Sequence, residues 1–389
     1  VKRVFIAEAL RTPTGKLLGA LSSLTAPALG GAVIKAVLKK SVPDVSVVDE
    51  VIMGNVLAAG AGQNPARQAA LASGLPDTIN AFTINKVCAS GMKAVSLGAQ
   101  AIMAGMSDVV IAGGMESMSN APYLLREMRR GKKYGDSNLI DSMVYDGLMD
   151  CYYAEHMGAL CESTVEKYSI SRHEQDAFSL ESHRKAGRAA KDGLFKDELV
   201  AIEAGGRTVI EDESIRKDAS IEALSRLKPV FKKDGTVTAG NSPGLNDGGA
   251  AILLASEEGL ERLNKRPMAE IIGFSSSHTD PKWFTTAPVG SVRKLLAATG
   301  LKIDSFDLIE ENEAFAAQTL AVMKELSLDP SKVNVNGGAV SLGHPIGASG
   351  ARILVTLAHA LKNRNKELGL ATICLGGGGA VSMAIKAFD

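Results

Sequence analysis

The sequence predicts an α/β protein made of two similar halves with a third unit inserted between them. Three observations carry that prediction. Short β-branched or apolar runs alternate with longer alanine-rich segments whose apolar residues recur at helical spacing, the pattern of helices covering both faces of a sheet. The chain also repeats itself at a nearly constant offset: Cys88–Ala101 lines up with Gly347–Ala360, Val51–Asn55 with Leu308–Asn312, and Val109–Gly114 with Thr372–Gly377. Finally, 389 residues exceed one ordinary core, because domains run to about 100 to 200 residues, so two or three packed units are expected.

Taken in order, "VKRVFIAEALRTPTG" reads as a first strand and its turn, and "VDEVIMGNVL" as a second strand. "INKVCASGMKAV" then passes from a β-rich run into a helix that begins near Cys88, with Met92, Val95, Ala99, Ile102, Met103 and Met106 on one face. "SDVVIAGG" is the next strand. From Ser119 to about Leu245 the texture changes, with more charge, Met and Tyr and with short polar runs such as "EAGGRTVIEDESIRKDAS". A structureless loop of that length is uncommon in a compact protein, so this stretch is expected to be an inserted loop domain, of the kind that covers ligands. The expected division is 1–118 plus 246–267 for the first half, 119–245 for the insert, and 268–389 for the second half. Its "LIEENEAFAAQ", "NVNGGAVSLGHPIGASGARI" and "TICLGGGGAVSM" repeat the strand, helix start and strand of the first half.

Composition excludes several classes of function. With 43 basic and 43 acidic residues there is no global field to favour nucleic acid or an anionic membrane. Four cysteines, Cys88, Cys151, Cys161 and Cys374, make neither a disulfide framework nor a Cys-x-x-Cys metal or dithiol site, so reduced thiols and no metal are expected. No signal-peptide zones open the chain and no apolar run of about 18 residues could span a bilayer. The expected compartment is the cytoplasm, with a mitochondrial mature form as the alternative.

The residues that could carry chemistry lie in equivalent loops. Cys88 sits where a helix presents unpaired N–H groups and its positive dipole end, both of which lower a thiol pKa toward the thiolate range. The alternative is an inert buried thiol. His344, in Gly-His-Pro just before the repeated helix start, could take a proton from a nearby thiol and hold the thiolate as an ion pair, or could be a capping or surface histidine. Asn312 can hold a water or a carbonyl oxygen without bringing charge. Cys374 precedes Gly376–Gly379, where close backbone N–H groups could form an oxyanion hole, or the glycines could be a bend and Cys374 a core thiol.

Together "NKVCASGMKAV", "NEAFAAQ", "NVNGGAVSLGHPIGASGARI" and "CLGGGGAVSMAI" resemble the signature blocks of the thiolases, in the same order and across essentially the whole chain. "IAEALRTPTGK", "AEHMG" and "SRHEQDAFSLESHRKA" are similar to further family segments. The resemblance implies two α/β halves in a five-layered αβαβα core with an inserted loop domain. It implies that Cys88 takes the acyl group, that His344 activates Cys88, and that Cys374 is the acid/base for the α-carbon of the second acetyl-CoA. Asn312, through a water, and His344 would form one oxyanion hole, and the backbone N–H groups of Cys88 and Gly376 the other.

Coenzyme A would lie on the loop domain, with Arg216 and Phe231 at its nucleotide end and Leu148, His156, Ala239, Ala314 and Phe315 along the pantetheine. Met157 and Phe284 would narrow the acyl pocket. The implied reaction is the ping-pong condensation of two acetyl-CoA to acetoacetyl-CoA and CoA, and the reverse thiolysis. It would need no cofactor beyond the CoA thioesters that are its substrates, and the implied assembly is a homotetramer built from dimers.

One departure stands out: Pro243 replaces a serine expected beside the thioester, and proline offers neither hydroxyl nor N–H. "REMRRGKK" (126–133) reads as a solvated charged loop, and Cys151 and Cys161 as structural thiols, an exposed one being able to pair with Cys88. Three other readings are a broad-chain 3-ketoacyl-CoA thiolase of fatty-acid breakdown, a condensing enzyme acting on acyl-carrier protein, and a non-catalytic lipid carrier or assembly subunit. Met157 beside His156 opposes the first. Asn312 in place of a second histidine, together with Cys374, opposes the second. The presence of all four reactive residues opposes the third.

Overall fold

The computed structural model describes residues 1–388. The first half contains β1 (Phe5–Arg11), α1 (Ala26–Ser41), β2 (Glu50–Gly54), α2 (Pro65–Ala72), β3 (Asn80–Ile84), α3 (Ser90–Met103) and β4 (Val109–Ser117). Two longer helices of the insert follow, α4 (Met157–Tyr168) and α5 (Arg172–Lys191). Then come β5 (Asn246–Ala255), β6 (Ala269–His278), α6 (Ala287–Thr299), β7 (Leu308–Glu311), α7 (Ala316–Leu326), α8 (Ile346–Asn363), β8 (Leu368–Leu375) and β9 (Gly379–Ala387).

The strands order as β7-β8-β9-β6-β1-β5-β4-β2-β3 in one ten-stranded sheet, with Gly15–Lys16 as a short addition along β5. The two halves join through β1 and β6, which pair only at Phe5 and Ile6. Within each half a parallel pair, β2 with β4 and β7 with β8, is followed by antiparallel neighbours. The three repeated segments fall on β2 and β7, on β4 and β8, and on the first turns of α3 and α8. The repeat is therefore structural.

Alternation of side chains along each strand separates the layers. On β4, Val109 and Ile111 face a core shared with α1 and α2, whereas Val110 and Ala112 face α3 and α8. On β5, Ala251 and Leu253 split from Ile252 and Leu254 in the same way. α6 and α7 cover the outer face of the second half through Val292, Leu295 and Val322. The result is five layers, α–β–α–β–α, with strands buried on both faces; this is why they read as continuous apolar runs. One expectation fails at the end of α3, where the helix stops at Met103 and Met106 is exposed beyond it.

The middle layer depends on a close crossing. A Cβ at Gly91 of α3 would stand 2.7 Å from the backbone N of Ala351, and one at Gly350 of α8 would stand 2.6 Å from the backbone N of Met92. These are equivalent glycines of the repeated Ala-Ser-Gly, so the motif marks backbone-to-backbone contact. Residues 119–245 leave the sheet after β4 and return at β5, pinned where they leave by Asp247, whose carboxylate accepts from Ser119 N–H at 2.9 Å and Ser119 Oγ at 2.6 Å. Fully buried Arg11 of β1 holds the insert again, donating to Glu198 at 2.6 Å and to Asp212 at 2.7 and 2.9 Å. Among the described residues no helix is long and apolar enough to cross a membrane.

Replacing Gly91 or Gly350 by alanine should overpack this crossing and cost about 1–3 kcal/mol. Denaturant unfolding measures that loss, and Gly187→Ala within α5, whose Cβ meets nothing within 4 Å, serves as the control, with stability unchanged or raised by up to about 1 kcal/mol.

Candidate active site

Cys88 is displayed by a tight, strained turn. Val87 has φ +48°, a left-handed conformation that β-branched residues rarely adopt. Side chains on either side hold it: Asn85 Oδ1 accepts from Val87 N–H at 2.9 Å, while Ser90 Oγ accepts from Lys86 N–H at 2.8 Å and donates to Val87 O at 2.6 Å. α3 starts two residues after the thiol. The backbone N–H groups of Gly376 and of Cys88 itself are directed at the sulfur, so the Cys88 and Gly376 loops meet.

Those N–H groups do not win. Burial pushes the Cys88 thiol up to about 11, with nearby Glu116 adding to the rise. The expectation of a lowered thiol pKa is thus corrected: loss of hydration outweighs the helix terminus. His344 moves the other way, down to about 3, because burial and then the Arg352 charge disfavour its imidazolium. At neutral pH the resting site holds a neutral thiol and a neutral imidazole, not the expected ion pair.

His344 is held at both ends. Its backbone N–H donates to Asn246 Oδ1 at 2.9 Å, and its Nδ1 lies 2.6 Å from Ser349 Oγ, which itself donates to Pro345 O at 2.9 Å. Ser349 can therefore serve the ring nitrogen while its own proton goes to the backbone. Asn312 is fully buried, yet neither Oδ1 nor Nδ2 of its amide has a hydrogen-bond partner. Its backbone is fixed instead, Asn312 N–H donating to Thr372 O at 3.0 Å. Buried unpartnered amides are uncommon and mark places where a ligand or water is to be bound.

Cys374, near the end of β8, is fully buried, and its pKa is raised by burial first and then by proximity to Cys88, Glu311 and Cys161. It shares one apolar cluster with Met157, Cys161, Phe284, Ala314 and Phe315, against which Phe231 packs. His156 stacks on Phe231 with ring centroids 4.6 Å apart, and Phe231 and Phe284 meet Phe315 edge-on at 6.2 and 6.5 Å. Leu148 packs with Cys88, Val56 and Ile346 on the other side. Gly377 and Gly378 make the turn after Cys374 with φ +81° and +79°, and a Cβ at Gly376 would lie 3.6 Å from both Met157 Sδ and Val87 Cγ1.

The structure thus brings together Cys88, Gly376, Cys374, Met157, His156, Phe231, Phe284, Ala314 and Phe315. Arg216 and Ala239 lie exposed on the insert. Beside Pro243, Ser242 donates its hydroxyl to Thr238 O at 2.8 Å, so it does not replace the missing serine. Residues 126–133 are exposed throughout.

Three positioning groups escaped the sequence reading. Asn246 holds the His344 backbone and Ser349 its ring. Buried Glu116 accepts from Asn55 Nδ2 at 2.6 Å, Val56 and Leu57 N–H at 3.1 Å, and Gly347 N–H at 2.8 Å, tying the end of β2 to the start of α8. Only Ser349 left a signal, as the serine of the repeated Ala-Ser-Gly. Cys161, expected to be a structural thiol of the insert, is fully buried in the apolar cluster that holds Cys374, because α4 packs into that cluster.

Two free thiols within each other's field, at the end where the duplicated halves meet, suit exchange with thioesters. The chain belongs to the thiolase family: residues 4–258 match "Thiolase, N-terminal domain" and residues 265–387 match "Thiolase, C-terminal domain". A protein of Staphylococcus aureus (strain NCTC 8325 / PS 47) named "Probable acetyl-CoA acyltransferase" is 50% identical over 391 residues, covering 99% of each chain. Its namesake from strain MRSA252 is 49% identical over the same length. The crystal structure of the Bacillus anthracis acetyl-CoA acetyltransferase superposes with a TM-score of 0.97 at 43% identity, covering 100% of this chain and 99% of that one.

A neutral resting thiol has a measurable consequence. Alkylation of Cys88 by iodoacetamide, followed by peptide mapping, should accelerate steadily from about pH 7 to about pH 10 as the thiolate fraction grows. A rate already at its plateau near neutrality would instead reveal a thiolate–imidazolium pair.

Proposed function

We propose that this thiolase condenses two acetyl-CoA into acetoacetyl-CoA and CoA, and runs the reverse thiolysis, through an acetylated Cys88. The observation that carries the reading is the meeting of Cys88 with the Gly376 N–H on the same loop that bears Cys374. One sulfur is then placed to form a thioester and the other to move a proton beside it. The names of the similar Staphylococcus aureus and Bacillus anthracis proteins support acetyl-CoA chemistry.

The protons balance with both thiols neutral at rest. As Cys88 attacks the thioester carbonyl its proton passes to His344, and the oxyanion is met by the N–H groups of Cys88 and Gly376. The C–S bond to CoA breaks, and the departing thiolate takes the Cys374 proton. Cys374, now a thiolate, removes a proton from the methyl carbon of a second acetyl-CoA. Asn312, through a water, and His344 stabilise the resulting enolate oxygen. The enolate carbon attacks acetyl-Cys88, and the expelled Cys88 sulfur recovers its proton from His344. Depressed basicity suits His344 to this role, because its imidazolium returns the proton readily.

Short-chain preference rests on the wall of Met157, Phe284 and Phe315 around Cys374. Arg216 on the insert would hold the nucleotide end of CoA; Phe231, expected there too, stacks on His156 and meets Phe315 edge-on, so it would lie with Leu148 and Ala239 along the pantetheine. In the same reading the assembly is a homotetramer, for which the open edge strand β3 and the exposed Tyr123, Met128, Tyr134 and Leu139 offer surface to further copies.

Intact mass after incubation with acetyl-CoA alone should show one acetyl group, mapped to Cys88 and removed by CoA. Cys88→Ala should abolish it, whereas Cys374→Ala should keep acetylation and lose carbon–carbon bond formation by at least about a hundredfold. Normal condensation by Cys374→Ala would overturn the base assignment. Thiolysis rates should fall as the 3-ketoacyl chain lengthens beyond acetoacetyl-CoA, and equal rates on long chains would favour the broad-chain reading.

Asn312→Ala should separate activity from stability. Removing an unpartnered buried amide should change unfolding free energy by less than about 1 kcal/mol, while condensation falls by about tenfold to a thousandfold. A large loss of stability would show that the amide has a structural partner instead.

A further inference from the structure

One rung below Asn312 and His344 lies a pair of ionisable residues that the chemistry proposed above does not use; burial pushes the Glu310 carboxyl up to about 8, and the Arg352 charge works against that rise. Glu310 precedes Asn312 by two residues along β7, so the alternation of a strand turns both side chains to the same face. Arg352 follows Ser349, the partner of the His344 ring, by three residues along α8, one helical turn away on the same side. Glu310 Oε2 and Arg352 Nη1 are 3.8 Å apart, with both side chains almost wholly buried. No protein group hydrogen-bonds either carboxylate oxygen of Glu310 or any of the three guanidinium nitrogens of Arg352 among the described residues. Their mutual attraction is therefore the polar tie between the strand end that carries Asn312 and the helix that carries Ser349.

The tie has an asymmetric effect. His344 is anchored by Asn246 and Ser349, and these bonds do not involve Glu310. The Asn312 side chain has no protein anchor of its own, so its position follows its strand. That strand is held against the neighbouring Val333–Asn336 segment by Asn334, whose Oδ1 accepts from Glu311 N–H and whose Nδ2 donates to Glu311 O, each at 2.8 Å. Leu308 of this strand packs on Leu354, Leu357 and Leu361 of α8 in one apolar cluster, and among the described residues the Glu310–Arg352 pair is the polar contact that adds to it at the end nearer Asn312. A buried ion pair adds little net stability, since the cost of dehydrating both charges offsets their attraction. Geometry is what it can supply.

We propose that Glu310 and Arg352 are a positioning pair that sets the distance from Asn312 to His344, and so tunes the oxyanion hole for the enolate and not the acylation of Cys88. The inference rests on the assignment of Asn312 and His344 to that hole.

The experiment compares two reactions in Glu310→Gln, Arg352→Met and the double variant. Exchange of labelled CoA into acetyl-CoA reports acylation of Cys88 alone, and acetoacetyl-CoA formation reports condensation. Condensation is expected to fall by about tenfold to a hundredfold in each variant, as for a displacement of about 1 Å at a reacting group. CoA exchange should stay within about threefold of the unaltered enzyme in Glu310→Gln, which keeps the Arg352 charge that acts on His344; Arg352→Met and the double variant remove that charge and are read by condensation and stability. The double variant leaves no stranded charge, so it should unfold at a higher temperature than either single variant while keeping the condensation defect. Equal losses in both reactions of Glu310→Gln, no loss in either, or recovery of condensation together with stability in the double variant would each overturn the pair's role. If the unaltered enzyme fails to exchange CoA or carries its acetyl group elsewhere than Cys88, the proposed function itself falls, and this inference with it.

Discussion

Backbone contact between α3 and α8 at Gly91 and Gly350 is the constraint on which the rest of the structure depends. With no Cβ on either glycine, the two central helices approach until each lies against the other's main chain. That approach fixes the thickness of the middle layer, and both halves of the sheet pack upon it. It also brings the first turns of the two helices to the same end. Cys88 precedes one of those turns and His344 the other, so the helix crossing and the juxtaposition of the halves' reactive loops have the same cause.

Burial at that end decides the ionisation of the site. Each reactive group sits where its charged form is poorly hydrated, and the fixed dipoles around it are too few to compensate fully. Cys88 and Cys374 therefore keep their protons, and His344 stays neutral. A site of neutral groups resists stray alkylation and oxidation, which require the thiolate. It also means that proton transfer accompanies substrate binding and is not complete beforehand. Glu116 extends the same logic. Burial pushes it up to about 7 while four donors from two loops oppose that rise, and it is as an acceptor of those four bonds that it joins β2 to α8.

The insert is held by buried charge as well as by the apolar packing that holds the layers. Arg11 reaches from the first strand to Glu198 and Asp212, all three buried, and Thr356 of α8 donates to the same Glu198 at 3.2 Å. One glutamate thus sees the first half, the insert and the second half. Such a contact is directional, and it orients the insert so that α4 packs against Cys374 with Met157 and Cys161 facing the acyl end of the site.

Much of this was legible in the sequence, because it rests on local rules. Alternating and helical periodicities marked the layers, and the offset repeat marked the duplication. The loops bearing Cys88, Asn312, His344 and Cys374 could be named because each interrupts a regular pattern at an equivalent place. The change of texture near 118 and 246 falls where β4 ends at Ser117 and β5 begins at Asn246. What only the tertiary structure decided depends on neighbours distant along the chain. The thiol of Cys88 is raised, not lowered, because residues hundreds of positions away bury it. Asn246, Glu116 and the Glu310–Arg352 pair gain their meaning from partners that no local pattern identifies. Periodicity is a property of a segment and can be read from it, whereas hydration and hydrogen-bond partnership belong to a place in space, which exists only once the chain has folded.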